Sequence, residues 1–162
     1  MNRFLLPLIF IFLKFILVQL FSLSWFLFDP LLVLVVFYTF FHNLDVKDYF
    51  GYAVYCGVCA DIFSLDIFGI HILSYLGCAF VVAALSVLIY RENRSFVYLM
   101  VFLGVFLTNL FSFIFKLLIF NTVQIQDIGW FLVVSFLQAV GTVVFAVPFY
   151  KISKKCVPEL IR

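Results

Sequence analysis

Six long apolar runs, separated by short polar breaks, make up almost the whole chain. They lie at about residues 4–25, 30–41, 49–65, 67–90, 96–120 and 128–150. The breaks carry half of the charged residues, as in Arg91-Glu92-Asn93-Arg94. Because backbone groups in lipid must form their hydrogen bonds within the segment, each run is predicted to be a helix despite its many Phe and Val residues.

Composition places these helices in a membrane. Hydrophobic residues make up 67% of the chain and charged residues 11%, whereas soluble domains are about half apolar and a quarter charged. The mean hydropathy is +1.28. A chain of 162 residues holds about six spans of roughly 20 residues, so we predict a single all-α transmembrane domain over residues 1–162. The net charge of +2 does not indicate nucleic-acid binding.

The second run is short for a membrane span. Residues 30–41 would rise roughly 18 Å as a helix, against a hydrocarbon core of about 30 Å, which leaves a re-entrant segment as an alternative. Basic residues favour a full crossing, because six spans with the N-terminus inside place all of the following on the cytoplasmic side: Arg3, Lys47, Arg91, Arg94, Lys151, Lys154, Lys155 and Arg162. The charged residues of the opposite loops are then Asp29, Asp66 and Asp127, with no Lys or Arg among them. We therefore predict six helices with both termini in the cytoplasm.

Asp61 is the most informative residue, because it lies within an apolar, glycine-punctuated run. A carboxylate at membrane depth costs roughly 2.5 to 3.5 kcal/mol on insertion scales, so it is predicted to face protein or water. Two interpretations stay open: a functional site, or a structural aspartate bonded to helix ends. Lys14, near the middle of the first run, either pairs with Asp61 or reaches water at the membrane surface.

The sequence contains no motif typical of an enzyme. It has no G-x-S-x-G, no H-E-x-x-H, no glycine-rich phosphate loop and no dense acidic motif for Mg²⁺. Cys56 and Cys59 have C-x-x-C spacing, but they lie in mid-helix among apolar residues without a second pair. We predict a protein that is not an enzyme and that has no catalytic residues, no cofactor and no metal.

A set of spaced residues in the first half of the chain resembles the rod shape-determining protein MreD family. Asp29-Pro30 is followed by an apolar run ending in Phe37-Tyr38, and then by a pattern like G-x(5)-G-x(3)-D-x(7)-G-x(3)-L. The residues that carry the resemblance are Pro30, Gly51, Gly57, Asp61, Gly69, His71 and Leu73. The chain departs from the family at Asp29, where a basic residue is common, and at His71, where an arginine is common.

The resemblance implies a non-enzymatic scaffold subunit of the bacterial elongation (rod) complex, multi-pass in the cytoplasmic (inner) membrane. It implies direct binding to MreC, and direct or indirect association with MreB and the peptidoglycan synthases that maintain cell shape. The seven residues are then a partner-binding or structural motif. The fold is expected to be similar to that of the S-components of energy-coupling-factor transporters. A substrate-binding S-component and a small intramembrane enzyme remain as alternatives.

Overall fold

The computed structural model describes residues 5–21, 28–41, 46–64, 68–88, 94–120 and 125–156, and its regular elements are all α-helices. They are α1 (Leu5–Phe21), α2 (Pro30–Phe41), α3 (Val46–Phe63), α4 (Ile70–Leu88), α5 (Arg94–Phe120) and α6 (Ile125–Cys156). The prediction of an all-helical chain with six helices is confirmed. Of the residues used to predict the topology, Arg3, Asp66, Arg91 and Arg162 lie outside the described residues.

Several helix boundaries differ from the predicted ones, most clearly at the start of α4 and the end of α6. Helix α4 begins at Ile70 instead of about residue 67, because Phe68 and Gly69 form a turn in which Gly69 has a φ of 102°. Helix α6 continues to Cys156, beyond the predicted end at about residue 150, with Pro148 inside it. Proline removes one helical hydrogen bond, and the helix continues through Pro148 despite that loss.

Helix α2 occupies the centre of the bundle. All of residues 31–40 are buried, and the helix lies against each of the other five. Protein therefore covers α2 on all sides, and its length does not have to match the thickness of the hydrocarbon core. This explains how a helix of 12 residues can belong to a membrane bundle.

The remaining five helices surround α2. Helix α3 packs on α1 and α4, and α5 packs between α4 and α6. Helix α6 meets the first part of the chain through Phe145, which stacks on Phe28 with 5.0 Å between ring centroids and meets Phe10 edge-on at 6.5 Å. The segments Phe96–Leu118 of α5 and Gly129–Pro148 of α6 are long and apolar enough to cross a membrane.

Hydrogen bonds between polar side chains join neighbouring outer helices. Ser74 of α4 and Ser112 of α5 lie 3.0 Å apart between hydroxyl oxygens. Asn109 of α5 donates from Nδ2 to Gln138 Oε1 of α6 at 2.9 Å. Such bonds are typical of helix association in membranes, where apolar side chains gain little by leaving lipid.

Candidate functional site at the α3–α4 end

Asp61 lies in the last turn of α3, and its side chain is fully buried, with 0% exposed. Its Oδ2 atom accepts hydrogen bonds from the backbone N–H groups of Gly69, at 2.8 Å, and Ile72, at 3.4 Å. Its Oδ1 atom accepts one from the backbone N–H of His71 at 3.1 Å. The carboxylate is therefore bonded to the start of the next helix, as the structural interpretation of this residue expects.

The reason for this arrangement lies in the sequence at the start of α4. The first backbone N–H groups of a helix have no partner within the helix, and a Ser, Thr, Asp or Asn side chain at the N-cap usually accepts from them. Here the N-cap is Gly69, whose carbonyl accepts the first helical bond from Leu73 N–H at 3.0 Å, but which has no side chain. Asp61 supplies the missing acceptor from α3, and its charge lies at the positive end of the α4 dipole.

The imidazole ring of His71 also bonds to the carboxylate of Asp61. Its Nδ1 atom lies 2.9 Å from Asp61 Oδ1, and the ring of Tyr75, one turn further along α4, lies edge-on at 6.2 Å between centroids. Both oxygens of Asp61 already accept backbone N–H bonds, so Nδ1 donates to the carboxylate. The His71 side chain is 22% exposed.

Two glycines are required by the geometry of this end of the bundle. A Cβ atom at Gly57 would lie 2.6 Å from Ile72 Cα, so the backbones of α3 and α4 touch at this point. At Gly69, a φ of +102° lies in the region that residues with a Cβ rarely adopt. Together with Asp61, these positions fix how α4 leaves α3.

Four apolar residues close to Asp61 and Gly69 in the sequence have exposed side chains. Ile62, Phe63, Phe68 and Leu73 are all exposed, Phe68 by 66%. We call these four residues the hairpin patch. They flank the turn that Asp61 holds in place, so the patch is built on a backbone with few degrees of freedom.

The structure brings together five of the seven predicted site residues and separates two. Gly57, Asp61, Gly69, His71 and Leu73 lie at the α3–α4 end. Pro30 is buried at the start of α2. Gly51 is exposed near the other end of α3, and a Cβ there would meet nothing within 4 Å.

The family model for the rod shape-determining protein MreD matches residues 1–156 of the chain. The chain belongs to the MreD family. The resemblance drawn from the spaced glycines and Asp61 is thereby confirmed. No curated protein and no solved structure matches the chain.

Membership in the MreD family establishes the broad role of the chain. MreD proteins are membrane proteins that act in rod shape determination, and the family is one of shape-determining structural proteins, not known as an enzyme family. The helices fit this description, since two of those described are long and apolar enough to span a bilayer.

A second polar cluster, around Asp29, was not predicted from the sequence of this MreD protein. Asp29 was expected in a loop, but its Oδ2 atom accepts a hydrogen bond from Tyr75 O–H at 2.6 Å, and its Oδ1 atom accepts one from Leu32 N–H at 3.3 Å. Its own N–H donates to Thr142 Oγ1 at 3.1 Å. Asp29 therefore joins the start of α2 to α4 and α6.

Lys14 of α1 lies within electrostatic range of the Asp29 carboxylate, a neighbour that neither sequence interpretation of Lys14 named. Asp29 followed by Pro30 does carry a usable signal, because aspartate is a favoured N-cap and proline a favoured first helical residue.

Replacing Tyr75 by phenylalanine is expected to destabilise the protein by about 1 to 2 kcal/mol, because the bond that the phenol donates to the charged Asp29 is lost in a buried site. Thermal unfolding in detergent measures the change. Tyr98→Phe, at a half-buried position of α5, is the comparison. Equal stability of Tyr75→Phe and the wild type would contradict a contribution of this bond to the fold.

The described residues include both possible metal ligands and an apolar groove. They contain no group of three or more His, Cys, Asp and Glu side chains that could hold a metal ion. Cys56, Cys59 and Cys78 are free and buried. A groove of about 440 Å³ between α1 and α3 is lined by apolar residues only: Leu8, Ile9, Ile11, Phe12, Phe15 and Phe63.

Proposed function

We propose that this chain is a non-enzymatic scaffold subunit of the bacterial elongation complex that binds MreC directly. Through MreC it helps couple MreB filaments to the peptidoglycan synthases of the lateral wall, and so maintains cell shape. The hairpin patch is the observation that carries the proposal. It presents exposed apolar side chains on a turn fixed by a buried carboxylate.

Rigidity is the property that suits this end of the bundle to receive a partner. Side chains on a fixed backbone lose little conformational freedom when a partner binds, so more of the contact energy remains as affinity. Asp61 and the close approach at Gly57 supply that fixed backbone. We propose that the transmembrane helix or juxtamembrane segment of MreC packs on the hairpin patch.

The proposed orientation places the hairpin patch on the extracytoplasmic side. Lys47 is exposed in the first turn of α3, at the opposite end of that helix from Asp61. Basic residues favour the cytoplasmic side, so the Lys47 end, together with both chain termini, is proposed to face the cytoplasm. The protein is then a multi-pass component of the cytoplasmic (inner) membrane.

The alternative, a substrate-binding S-component, would use the same helical shell to hold a small molecule. Sites for such ligands combine apolar walls with a few converging polar groups. The groove between α1 and α3 has apolar walls without polar groups, and Asp61 is already bonded to α4 and His71. These observations favour the scaffold function.

The double substitution Phe68→Ala and Leu73→Ala is expected to reduce recovery of co-expressed MreC by at least about tenfold, since central apolar contacts each contribute more than about 1 kcal/mol to an interface. The measurement is the amount of full-length MreC that co-purifies in mild detergent. Phe136→Ala with Val144→Ala, which truncates two exposed side chains of α6, is the matched control. Normal recovery with the hairpin-patch variant would remove this surface from the proposal.

A further inference from the structure

We propose that the polar cluster around Asp61 and the polar cluster around Asp29 form one cooperative unit, which opens and closes as a whole. His71 and Tyr75 of α4 connect the two clusters. A change at the α3–α4 end is then transmitted to the start of α2 and to α6. This inference goes beyond the proposed function, because it does not depend on which partner binds.

Each cluster has a carboxylate that caps the start of a helix. Asp29 Oδ1 accepts a bond from Leu32 N–H in the first turn of α2, and Asp61 accepts bonds from the first N–H groups of α4. Asp29 contacts Tyr75, in the second turn of α4, so α2 and α4 begin near the same end of the bundle. The first N–H groups of both helices depend on these carboxylates, because they have no partner within the helix.

Side chains one turn apart on α4 join the two carboxylates. His71 Nδ1 lies 2.9 Å from Asp61 Oδ1, and the rings of His71 and Tyr75 meet edge-on, with 6.2 Å between centroids. Tyr75 O–H donates to Asp29 Oδ2 over 2.6 Å, a length typical of a bond to a charged acceptor. The contacts therefore run without a break from one carboxylate to the other.

The far end of this chain of contacts reaches α6. The N–H of Asp29 donates to Thr142 Oγ1 at 3.1 Å, and both Thr142 and Tyr75 are buried. Water does not readily replace a bond that is lost at a buried position, so the remaining group stays unsatisfied. Groups in one such network are energetically coupled. Loosening one cap is therefore expected to loosen the other.

Exchange of backbone N–H groups with deuterated water measures local opening at each helix start. The full chain in detergent is compared with Asp61→Ala and with Tyr75→Phe, which removes only the phenol oxygen and keeps the ring beside His71. Ser74→Ala is the matched control. Ser74 is also buried in α4, and its substitution also removes one side-chain bond, but that bond leads to Ser112 of α5.

We expect Asp61→Ala to speed exchange at the start of α4 by at least about tenfold, the size of one lost bond to a charged acceptor. Exchange at the start of α2 should also rise, by at least about threefold, as expected for coupling within one network. Tyr75→Phe should have its larger effect at the start of α2 and its smaller effect at the start of α4. Ser74→Ala should leave the start of α2 within about twofold of the wild type.

An increase confined to the start of α4 in Asp61→Ala would overturn the inference. So would an increase at the start of α2 that Ser74→Ala reproduces, or that extends equally through α5, because either result indicates general loosening. If Asp61→Ala does not fold, Tyr75→Phe decides the matter, and unchanged exchange at the start of α4 in that variant would overturn the inference.

The double variant Asp61→Ala with Tyr75→Phe tests the route between the caps. Once Tyr75 is replaced, Asp61→Ala should add less than about twofold at the start of α2. The full increase in the double variant would rule out Tyr75 as the connection. MreC is absent from these measurements, so their outcome is independent of the proposed function.

Discussion

Replacement of Asp61 by alanine is expected to lower the free energy of unfolding by about 3 kcal/mol, the combined size of a lost helix cap and of buried bonds to a charged acceptor. Three backbone N–H groups at the start of α4 lose their acceptor, and His71 Nδ1 loses its partner. Water does not readily replace the carboxylate, because the side chain is fully buried. Thermal unfolding in detergent measures the effect.

Asp61→Asn is expected to give a smaller loss of stability than Asp61→Ala, and Ile62→Ala is the control. The Asn amide keeps one acceptor oxygen but turns an N–H₂ group toward backbone N–H groups, so about half of the loss is expected. Ile62 is the exposed neighbour of Asp61, and its truncation should change stability by less than about 0.5 kcal/mol. Both Asp61 variants should also reduce MreC recovery, because the hairpin patch loses its support. Wild-type stability in Asp61→Ala would show that the cap is dispensable.

Replacement of Gly57 by alanine is expected to cost about 1 to 3 kcal/mol, the range for overpacking at a tight contact. The new Cβ would lie 2.6 Å from Ile72 Cα and 3.0 Å from Ile72 N, and both are backbone atoms. A flexible side chain could move aside, but here α3 and α4 themselves must separate. The separation would also stretch the bonds from Asp61 to α4, so we expect loss of stability and loss of MreC binding together.

Gly51→Ala is the matched control for Gly57→Ala. Both glycines lie in α3, but a Cβ at Gly51 meets nothing within 4 Å. Alanine is favoured over glycine in a helix by up to about 1 kcal/mol, so Gly51→Ala should leave stability unchanged or slightly raise it. Equal destabilisation by the two substitutions would mean that the close approach of α3 and α4 is not what Gly57 is required for.

Much of the fold follows from the sequence, and the central position of α2 does not. Apolar runs bounded by charged breaks predict helices well in a chain that cannot leave backbone groups unbonded in lipid. Hydrophobicity alone does not distinguish a helix that faces lipid from one that faces protein, since both surroundings are apolar. The short run at residues 30–41 therefore predicts the length of α2, but it does not predict that α2 packs against all five other helices.

The sequence predicted the central residue of the candidate site but not the partner of that residue. A charged residue in an apolar run signals a buried partner, and this led to Asp61. The identity of the partner, the start of α4, depends on the turn at Gly69, whose positive φ no periodicity reveals. Asp29 is itself the polar residue of the break before Pro30, a position that predicts a loop, although the contacts to Tyr75 and Thr142 give it a comparable structural role.

The most direct test of the proposed function is the mass of the complex that this protein forms with the molecules that purify with it. The chain is co-expressed with the full-length MreC of the same organism and extracted in mild detergent, and the mass of the intact complex is measured. We expect a complex of defined stoichiometry that is lost when Phe68 and Leu73 are truncated. Recovery of the protein without MreC, alone or with a bound small metabolite, would contradict the proposed function.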